Sequence, residues 1–221
     1  YSDTKSDSSL TLLGTFRSNT TSGYIYVSGE KAGFIDKIGS NLSLGLHSLK
    51  NLTTGGYNLA LGYQSLYSNT KGFFNIALGP QSLYSNITGS INLALGFQSL
   101  YSNTTGSENL AIGSLSLSSN TTGSRNLAIG IESLYHNRTG NSNTAIGYNS
   151  LYNNETNYNT AIGYQSLYSN ETGIRNVAIG YMAGYRETGS EKLYIDVFPR
   201  SNEKDGREKA IIYGQFASEP I

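Results

Sequence analysis

Residues 92–106 read Asn92-Leu-Ala-Leu-Gly-Phe-Gln-Ser-Leu-Tyr-Ser-Asn-Thr-Thr-Gly106, and close variants of this stretch fill most of the chain. The first glycine recurs every 17 residues from Gly45 to Gly147 and, after the loss of one residue, at Gly163 and Gly180. An asparagine precedes each of these nine glycines by four positions. Self-similarity at a fixed short period indicates a stack of equivalent units. The sequence therefore predicts an all-β fold, a β-solenoid (β-roll) of about nine 17-residue coils.

Positions within a coil are counted from this glycine, which is position 0. Positions −4 to −1 alternate in character and end at glycine, as is typical of a short strand. Position −1 is Leu or Ile in all nine coils and position +4 is Leu in eight, so both are predicted to face the interior. Position −2 is Ser43 and then Ala in every later coil. It lies on the other strand face from −1, and its small side chains favour close packing between different chains.

The second half of the coil is less determined by its pattern. Positions +2 to +6 fit either a second strand or a single helical turn, because the segment is too short for its period to decide. The Asn-x-Thr-Gly segment after it is typical of a turn with unusual φ angles at Asn and Gly. The one missing residue falls in this turn, at 153–158, where a change of length disturbs a stack least. Equivalent residues are then about 4.8 Å apart, and the −4 asparagines form one continuous column.

The two ends of the chain lack the repeat. We expect an N-terminal β connector at 1–39, the repeat solenoid at 40–190 and a C-terminal β connector or cap at 191–221. Such ends protect the exposed edges of a stack. Strand-like runs occur at Leu10–Leu13, Gly23–Val27, Gly33–Asp36, Lys192–Asp196 and Ala210–Gly214, the last two around a charged loop at 200–209. The chain starts at Tyr1 without a signal peptide, so we expect it to be part of a longer polypeptide.

Composition excludes several classes of partner. The 15 basic and 15 acidic residues balance, whereas binding to nucleic acid or to a membrane surface requires a basic excess. The chain has no cysteine, which excludes disulfides, thiolate metal sites and cysteine nucleophiles. No apolar run approaches the roughly 20 residues that span a bilayer. We therefore expect no nucleic-acid partner, no membrane insertion, no metal and no cofactor.

Residues that could support catalysis are sparse. From Lys37 to Arg186, the chain's carboxylates and histidines are Glu108, Glu132, Glu155, Glu171, His47 and His136. Arg138, Glu155 and Glu171 share position +8, which would place two carboxylates about 5 Å apart, as in a retaining glycosidase. The simpler interpretation is an exposed turn in which the positive charge of Arg138 pairs with the negative charge of Glu155. We therefore expect no catalytic residues and no enzymatic activity.

Aromatic side chains recur at two positions. Tyrosines at +5 are expected to stack between coils, since stacking buries ring area. The irregular aromatic column at +1 is the better candidate for exposure, and its rings could stack on sugars. The candidate glycan-contacting residues are Tyr63, Phe97, Tyr148, Tyr164 and Tyr181.

Asn-x-Thr sequons form a third recurring pattern. They include Asn19, Asn86, Asn103, Asn120, Asn137, Asn154 and Asn170. Such sites could carry glycans in a eukaryotic secretory pathway. The preference of Asn, Thr and Gly for turns explains the same residues without any attached glycan.

The Asn-x-Ala-Ile-Gly unit resembles the head repeats of trimeric autotransporter adhesins, and the longer unit at 159–173 resembles the repeats of bacteriophage tail fibres. The segment from Lys192-Leu-Tyr-Ile-Asp to Ile212-Tyr-Gly is similar to the region directly C-terminal to such repeats in fibre proteins, so the resemblance covers about residues 40–214. It implies β-rolls in a homotrimer, either intertwined or side by side.

The function that this resemblance implies is a structural and receptor-binding segment of an extracellular fibre. We expect a phage tail fibre on the virion surface, whose partners are further copies of itself and a host cell-surface glycan or receptor. A bacterial surface adhesin is the alternative. A polysaccharide-degrading spike or an ice-binding array of Asn and Thr is less favoured, the latter because glycine comes directly after threonine in the turn.

Overall fold

A computed structural model describes residues 22–27, 30–36, 39–198 and 200–215. Within these residues, thirteen strands form one sheet whose spatial order is the order of the sequence. The strands are β1 Ser22–Val27, β2 Glu30–Asp36, β3 Asn41–Leu44, β4 Leu59–Leu61, β5 Ile76–Leu78, β6 Leu93–Leu95, β7 Leu110–Ile112, β8 Leu127–Ile129, β9 Thr144–Ile146, β10 Thr160–Ile162, β11 Val177–Ile179, β12 Lys192–Ile195 and β13 Ile212–Gln215. The helix α1 spans Glu203–Lys209.

Strands β3 to β12 are parallel and pair in register, each with the equivalent strand of the next coil. Ala60, for example, pairs with Ala77, and Ala77 pairs with Ala94. At the two ends the pairing is antiparallel, between β1, β2 and β3 and between β12 and β13. The architecture is therefore the predicted all-β solenoid of about nine 17-residue coils. The predicted run Leu10–Leu13 lies outside the described residues.

The strand face that points into the coil is the opposite of the one predicted from position −1. The −2 alanines from Ala60 to Ala178 are fully buried, whereas Leu44 at −1 is 53% exposed and Ile146 is half-buried. The prediction that −1 faces the interior is thus wrong, and so is the prediction that the −2 alanines contact other chains. The −4 asparagine must lie inside to find its hydrogen-bond partners. Strand alternation then places −2 inside with it and −3 and −1 outside.

The predicted interior position +4 is confirmed, but its segment is neither a strand nor a helical turn. Leu100 is fully buried, as are the +4 leucines of the seven other coils that have one. The backbone is left-handed at +2 and +4, with φ 52° at Gln98 and 51° at Leu100. The Leu100 N–H donates to the Ser116 carbonyl of the next coil at 3.0 Å. Inter-coil hydrogen bonds of this kind stabilise a conformation that leucine rarely adopts.

The Asn-x-Thr-Gly turn works through its asparagine side chain rather than through its φ angles. Neither Asn86 nor Gly89 has a positive φ, contrary to the prediction. The Asn86 Nδ2 instead donates to the Gly89 carbonyl at 2.9 Å and to Asn69 Oδ1 at 2.8 Å. A side chain at Gly89 would collide with Asn86 Oδ1 and with the Gly106 carbonyl, which explains the glycine.

The coil that lacks one residue keeps this hydrogen-bond pattern. Thr156 stands where other coils have the turn glycine, and Asn154 Nδ2 donates to its carbonyl at 2.9 Å. The same nitrogen donates to Asn137 Oδ1 at 3.1 Å. The change of length is therefore absorbed inside the turn, as expected, and the column of asparagines continues.

At the C-terminal end of the stack, charged residues replace both buried asparagines. Glu187 stands at +7 of the ninth coil, and Lys192 stands in β12 at the position that follows Asn176 in the −4 column; both are buried. Glu187 accepts hydrogen bonds from the Tyr194 hydroxyl, from Arg207 Nη2 at 2.7 Å and from the Gly189 N–H at 2.8 Å. Arg207 belongs to α1, so the predicted charged loop at 200–209 contains a helix that closes the end of the stack.

Candidate functional site

The outward face of the parallel sheet is an extended apolar surface that nothing in the described part of the chain covers. Positions −3 and −1 carry Leu, Ile, Val or Thr in all nine coils and never a charge. Leu44, Leu95 and Ile179 are 53%, 40% and 39% exposed, so the face is open from the first coil to the last. Nine strands spaced by about 4.8 Å make this face on the order of 40 Å long.

The five candidate glycan-contacting residues all lie exposed at +1. Their exposed fractions range from 41% at Tyr164 to 47% at Tyr63, Phe97 and Tyr181. Tyr148, Tyr164 and Tyr181 form a stack, with ring centroids 5.5 and 5.2 Å apart. Tyr63 and Phe97 stand apart from this stack because Pro80, Ser114 and Ile131 interrupt the column. The structure thus brings three of the five candidates together.

The tyrosines at +5 stack between coils, as predicted. Tyr67, Tyr84 and Tyr101 form one stack with centroid distances of 5.0 and 5.1 Å. A second stack contains Tyr135, Tyr152, Tyr168 and Tyr185. Burial, followed by the neighbouring tyrosines or Glu132, raises the pKa values of Tyr84, Tyr152 and Tyr168. These rings therefore cover one another and present mainly edges and hydroxyls to solvent.

A row of glutamines at +2 is a feature that sequence reasoning missed. Gln81 Nε2 donates to Gln64 Oε1 at 3.1 Å, and Gln98 Nε2 donates to Gln81 Oε1 at 2.9 Å. The signal was present in the sequence, since glutamine recurs at this position in four coils. The row places amides between the exposed +1 column and the +5 stacks.

The carboxylates at +8 lie on the surface. Arg138 Nη1 is 2.7 Å from Glu155 Oε1, and the two side chains are 62% and 46% exposed. Glu155 and Glu171 line an open depression of about 340 Å³ together with His136, Asn153 and Thr172. The predicted offset of Glu155 by Arg138 is therefore observed. Among the described residues, no group of three His, Asp or Glu side chains could hold a metal ion.

Six of the sequon asparagines in the repeats are buried, whereas Asn51, in the sequence Asn51-Leu-Thr53 of the first coil, is exposed. Asn86, Asn103, Asn120, Asn137, Asn154 and Asn170 have no exposed surface. The Nδ2 atom, where a glycan would be attached, points inward and donates two hydrogen bonds in a coil such as that of Asn103. A glycan on these asparagines is incompatible with the folded stack. Asn19 lies outside the described residues.

No protein-family model, curated protein or solved structure matches the chain. Within the residues that the structure describes, no helix is long and apolar enough to cross a membrane.

Proposed function

We propose that this chain is a structural and receptor-binding segment of an extracellular homotrimeric fibre, most consistent with a phage tail fibre that attaches to host surface glycans. The observation that carries the proposal is the open, charge-free sheet face at −3 and −1. Its occupants are two further copies of the same chain.

A parallel sheet is ordinarily covered on both faces. Here the inner face is covered by the coil itself, while Leu44, Leu61 and Leu95 on the outer face are more than a third exposed. An apolar strip of this length on a monomer marks an interaction site, because it would otherwise cause aggregation. The strip therefore requires a partner as long as the solenoid.

A second copy of the chain fits this requirement better than an unrelated globular protein. Its own face repeats at the same strand spacing, so apolar rows can match coil by coil along about 40 Å. Neither face carries a charge that would be buried without a partner. A closed ring of three copies leaves no apolar face open, and it triples each receptor contact.

The receptor-binding part of the proposal rests on the exposed column at +1. Tyr148, Tyr164 and Tyr181 combine apolar ring surface with hydroxyl groups, which suits sugars. Weak contacts of this kind become useful when a trimer presents them three times. The proposal includes no catalytic step, and we expect the fibre to bind glycans without cleaving them.

Light scattering combined with adsorption to cells tests this proposal. We expect the unmodified chain to be a trimer that adsorbs to bacterial cells. The triple variant Tyr148→Ala, Tyr164→Ala, Tyr181→Ala should remain trimeric but adsorb less. Tyr158→Ala is a matched control, because Tyr158 is also an exposed tyrosine but lies at position −5.

Three outcomes would contradict the proposal. A stable, folded monomer would contradict the trimer. Equal adsorption of the triple variant and the control would contradict the assigned receptor surface. Adsorption to eukaryotic cells but not to bacteria would favour an adhesin over a phage fibre.

A further inference from the structure

The tyrosine column at +5 is interrupted at one coil, where Ser118 replaces tyrosine. The backbone does not change there: Leu117 keeps the left-handed φ of 50° that Leu100 and Leu134 have at 51° and 52°. Hydrogen bonds from Ser102 N to Ser118 O and from Ser119 N to Tyr135 O keep the three coils in register. The side chain at 118 therefore leaves the coil in the same direction as the rings of Tyr101 and Tyr135.

The missing ring leaves a gap of defined width. Tyr101 lies 5.1 Å from Tyr84 on one side, and Tyr135 lies 5.3 Å from Tyr152 on the other. Since Tyr101 and Tyr135 are two coils apart, their rings are separated by about 10 Å. One ring placed midway would lie about 5 Å from each tyrosine face, within the range of aromatic stacking. We call this gap the Ser118 slot.

The floor of the Ser118 slot is a serine hydroxyl without a hydrogen-bond partner. Ser118 is only 8% exposed. Its backbone N–H and carbonyl form hydrogen bonds, but within the described part of the chain none involves its hydroxyl. The oxygen is not among the buried side-chain atoms of the described residues that lack a partner, so solvent or a ligand can reach it. Because residue 118 occupies the tyrosine position of its coil, its hydroxyl is available to a ligand that enters the slot.

Further polar groups flank the slot at position +2. The chain of glutamine amides ends at Gln98, because the next +2 residue is Leu115, which cannot donate to Gln98 Oε1. On the other side of Leu115 stands Glu132, whose negative charge contributes to the raised pKa of Tyr152 after burial and therefore lies near the tyrosine column. The edge of His136 supports the Tyr135 ring at a centroid distance of 4.8 Å.

We propose that the Ser118 slot binds one pyranose ring of a glycan. A pyranose has apolar C–H faces, which match the faces of Tyr101 and Tyr135, and a hydroxylated edge, which matches Ser118, Gln98 and Glu132. A purely aromatic ligand would leave those polar groups unused. The inference rests on the proposed function for its biological setting, but the site is formed within one chain and does not require the trimer.

Saturation-transfer difference NMR with simple glycosides tests this site directly. The probes are methyl β-D-glucopyranoside, methyl β-D-galactopyranoside and the methyl glycoside of N-acetyl-β-D-glucosamine. We expect saturation transfer to the ring protons of at least one probe. Ser118→Tyr should abolish it, because the variant fills the slot with the side chain that other coils carry and restores an unbroken column. The same variant should fold at least as stably as the unmodified chain, since it adds two stacking contacts.

A second variant removes a wall instead of filling the slot. Tyr135→Ala takes away one of the two stacking faces, and we expect the probe to bind roughly tenfold more weakly or worse. Tyr67→Ala is the matched control, because Tyr67 lies at +5 but does not border the slot. It should leave binding unchanged.

The outcomes separate this inference from the proposed function. Equal saturation transfer in the unmodified chain and Ser118→Tyr, or none from any probe, would overturn the slot. If the unmodified chain and Ser118→Tyr then adsorb equally to cells, the fibre function stands without the slot. If the chain is monomeric and adsorbs to no cell, while a probe binds in a manner that Ser118→Tyr abolishes, the fibre function fails and the slot stands.

Discussion

The side-chain nitrogen of Asn92 donates to the side-chain oxygen of Asn75 one coil away, at 3.1 Å, and both residues are buried. The same oxygen accepts the Asn92 backbone N–H, also at 3.1 Å. The side-chain contact repeats in each coil from Asn58 to Asn126, and the backbone contact continues to Asn176, so the column is continuous as predicted from the spacing. Eight of the nine coils bury one leucine at +4, and every coil from the second on buries an alanine at −2. This apolar core is thin, so the hydrogen-bonded rows of amides inside the stack supply much of the stability that a larger core would otherwise provide.

Replacement of one member of this column should be costly. Asn109 Nδ2 donates to Asn92 Oδ1 and to the Gly123 carbonyl, and Asn109 Oδ1 accepts from Asn126. Asn109→Ala leaves these buried partners unsatisfied, and we expect a loss of about 3 kcal/mol or more in the free energy of unfolding. Urea unfolding measures the loss. Asn153→Ala, at a half-exposed asparagine, is the control, and equal midpoints for the two variants would contradict the structural role of the column.

The spacing of glycine and asparagine was enough to predict the solenoid, the coil length and the Asn column. It could not orient the strand, because alternation is compatible with either face being inside. The strict apolar character of position −1 suggested burial in the coil, but Leu44 and Leu95 are exposed. In a thin coil the space inside the strand admits alanine and asparagine, so the larger residues lie outside. A strictly apolar position in a repeat can therefore lie on the outward face of a strand as well as on the inward one.

The left-handed backbone at +2 and +4 and the Ser118 slot could not be predicted from the sequence, for a different reason. Glutamine and leucine have no local preference for positive φ, and the conformation at Gln98 and Leu100 depends on hydrogen bonds to neighbouring coils. The sequence shows Ser118 as a break in the tyrosine column. Its meaning depends on the ring separation, which a sequence does not contain.

The C-terminal cap should be sensitive to acid. Burial is the largest influence on Glu187 and raises its pKa, but hydrogen bonds from Arg207, Tyr194 and Gly189 outweigh it, so the pKa is lowered overall. A carboxyl whose pKa is lower in the folded chain stabilises the fold at pH values above its pKa in the unfolded chain, which is about 4.5. That contribution is lost as the pH falls from there through the pKa of the folded state. We expect the melting temperature to fall below about pH 4.5.

Glu187→Gln separates this effect from the titration of other carboxylates. The variant keeps the shape of the side chain but has no charge to titrate, so its melting temperature should be lower at neutral pH and depend less on pH. Thermal melts between about pH 3 and pH 7 provide the comparison. Parallel pH profiles for the two proteins would show that Glu187 does not control the cap.

Two arginine substitutions should differ in their effect on stability. Arg138→Ala removes an exposed ion pair with Glu155 and should cost less than about 1 kcal/mol. Arg207→Ala leaves the carboxylate of Glu187, which is 1% exposed, without its charged partner and should cost about 3 kcal/mol or more. Urea unfolding of both variants measures the difference. A larger loss for Arg138→Ala would mean that the surface strip at +8 has a structural role.

Adjacent residues on opposite strand faces provide the sharpest test of the reversed orientation. Ala128 is fully buried, and Ala128→Asn adds volume and an amide without partners inside the coil, which should cost about 3 kcal/mol or more and disrupt the fold. Ile129 points outward, so Ile129→Asn should leave the coil folded but weaken the proposed trimer. Circular dichroism reports the fold, and light scattering reports the assembly. If Ile129→Asn unfolds the chain while Ala128→Asn only dissociates it, the assignment of inside and outside is wrong, and the sheet face at −3 and −1 cannot be the surface through which the chains associate.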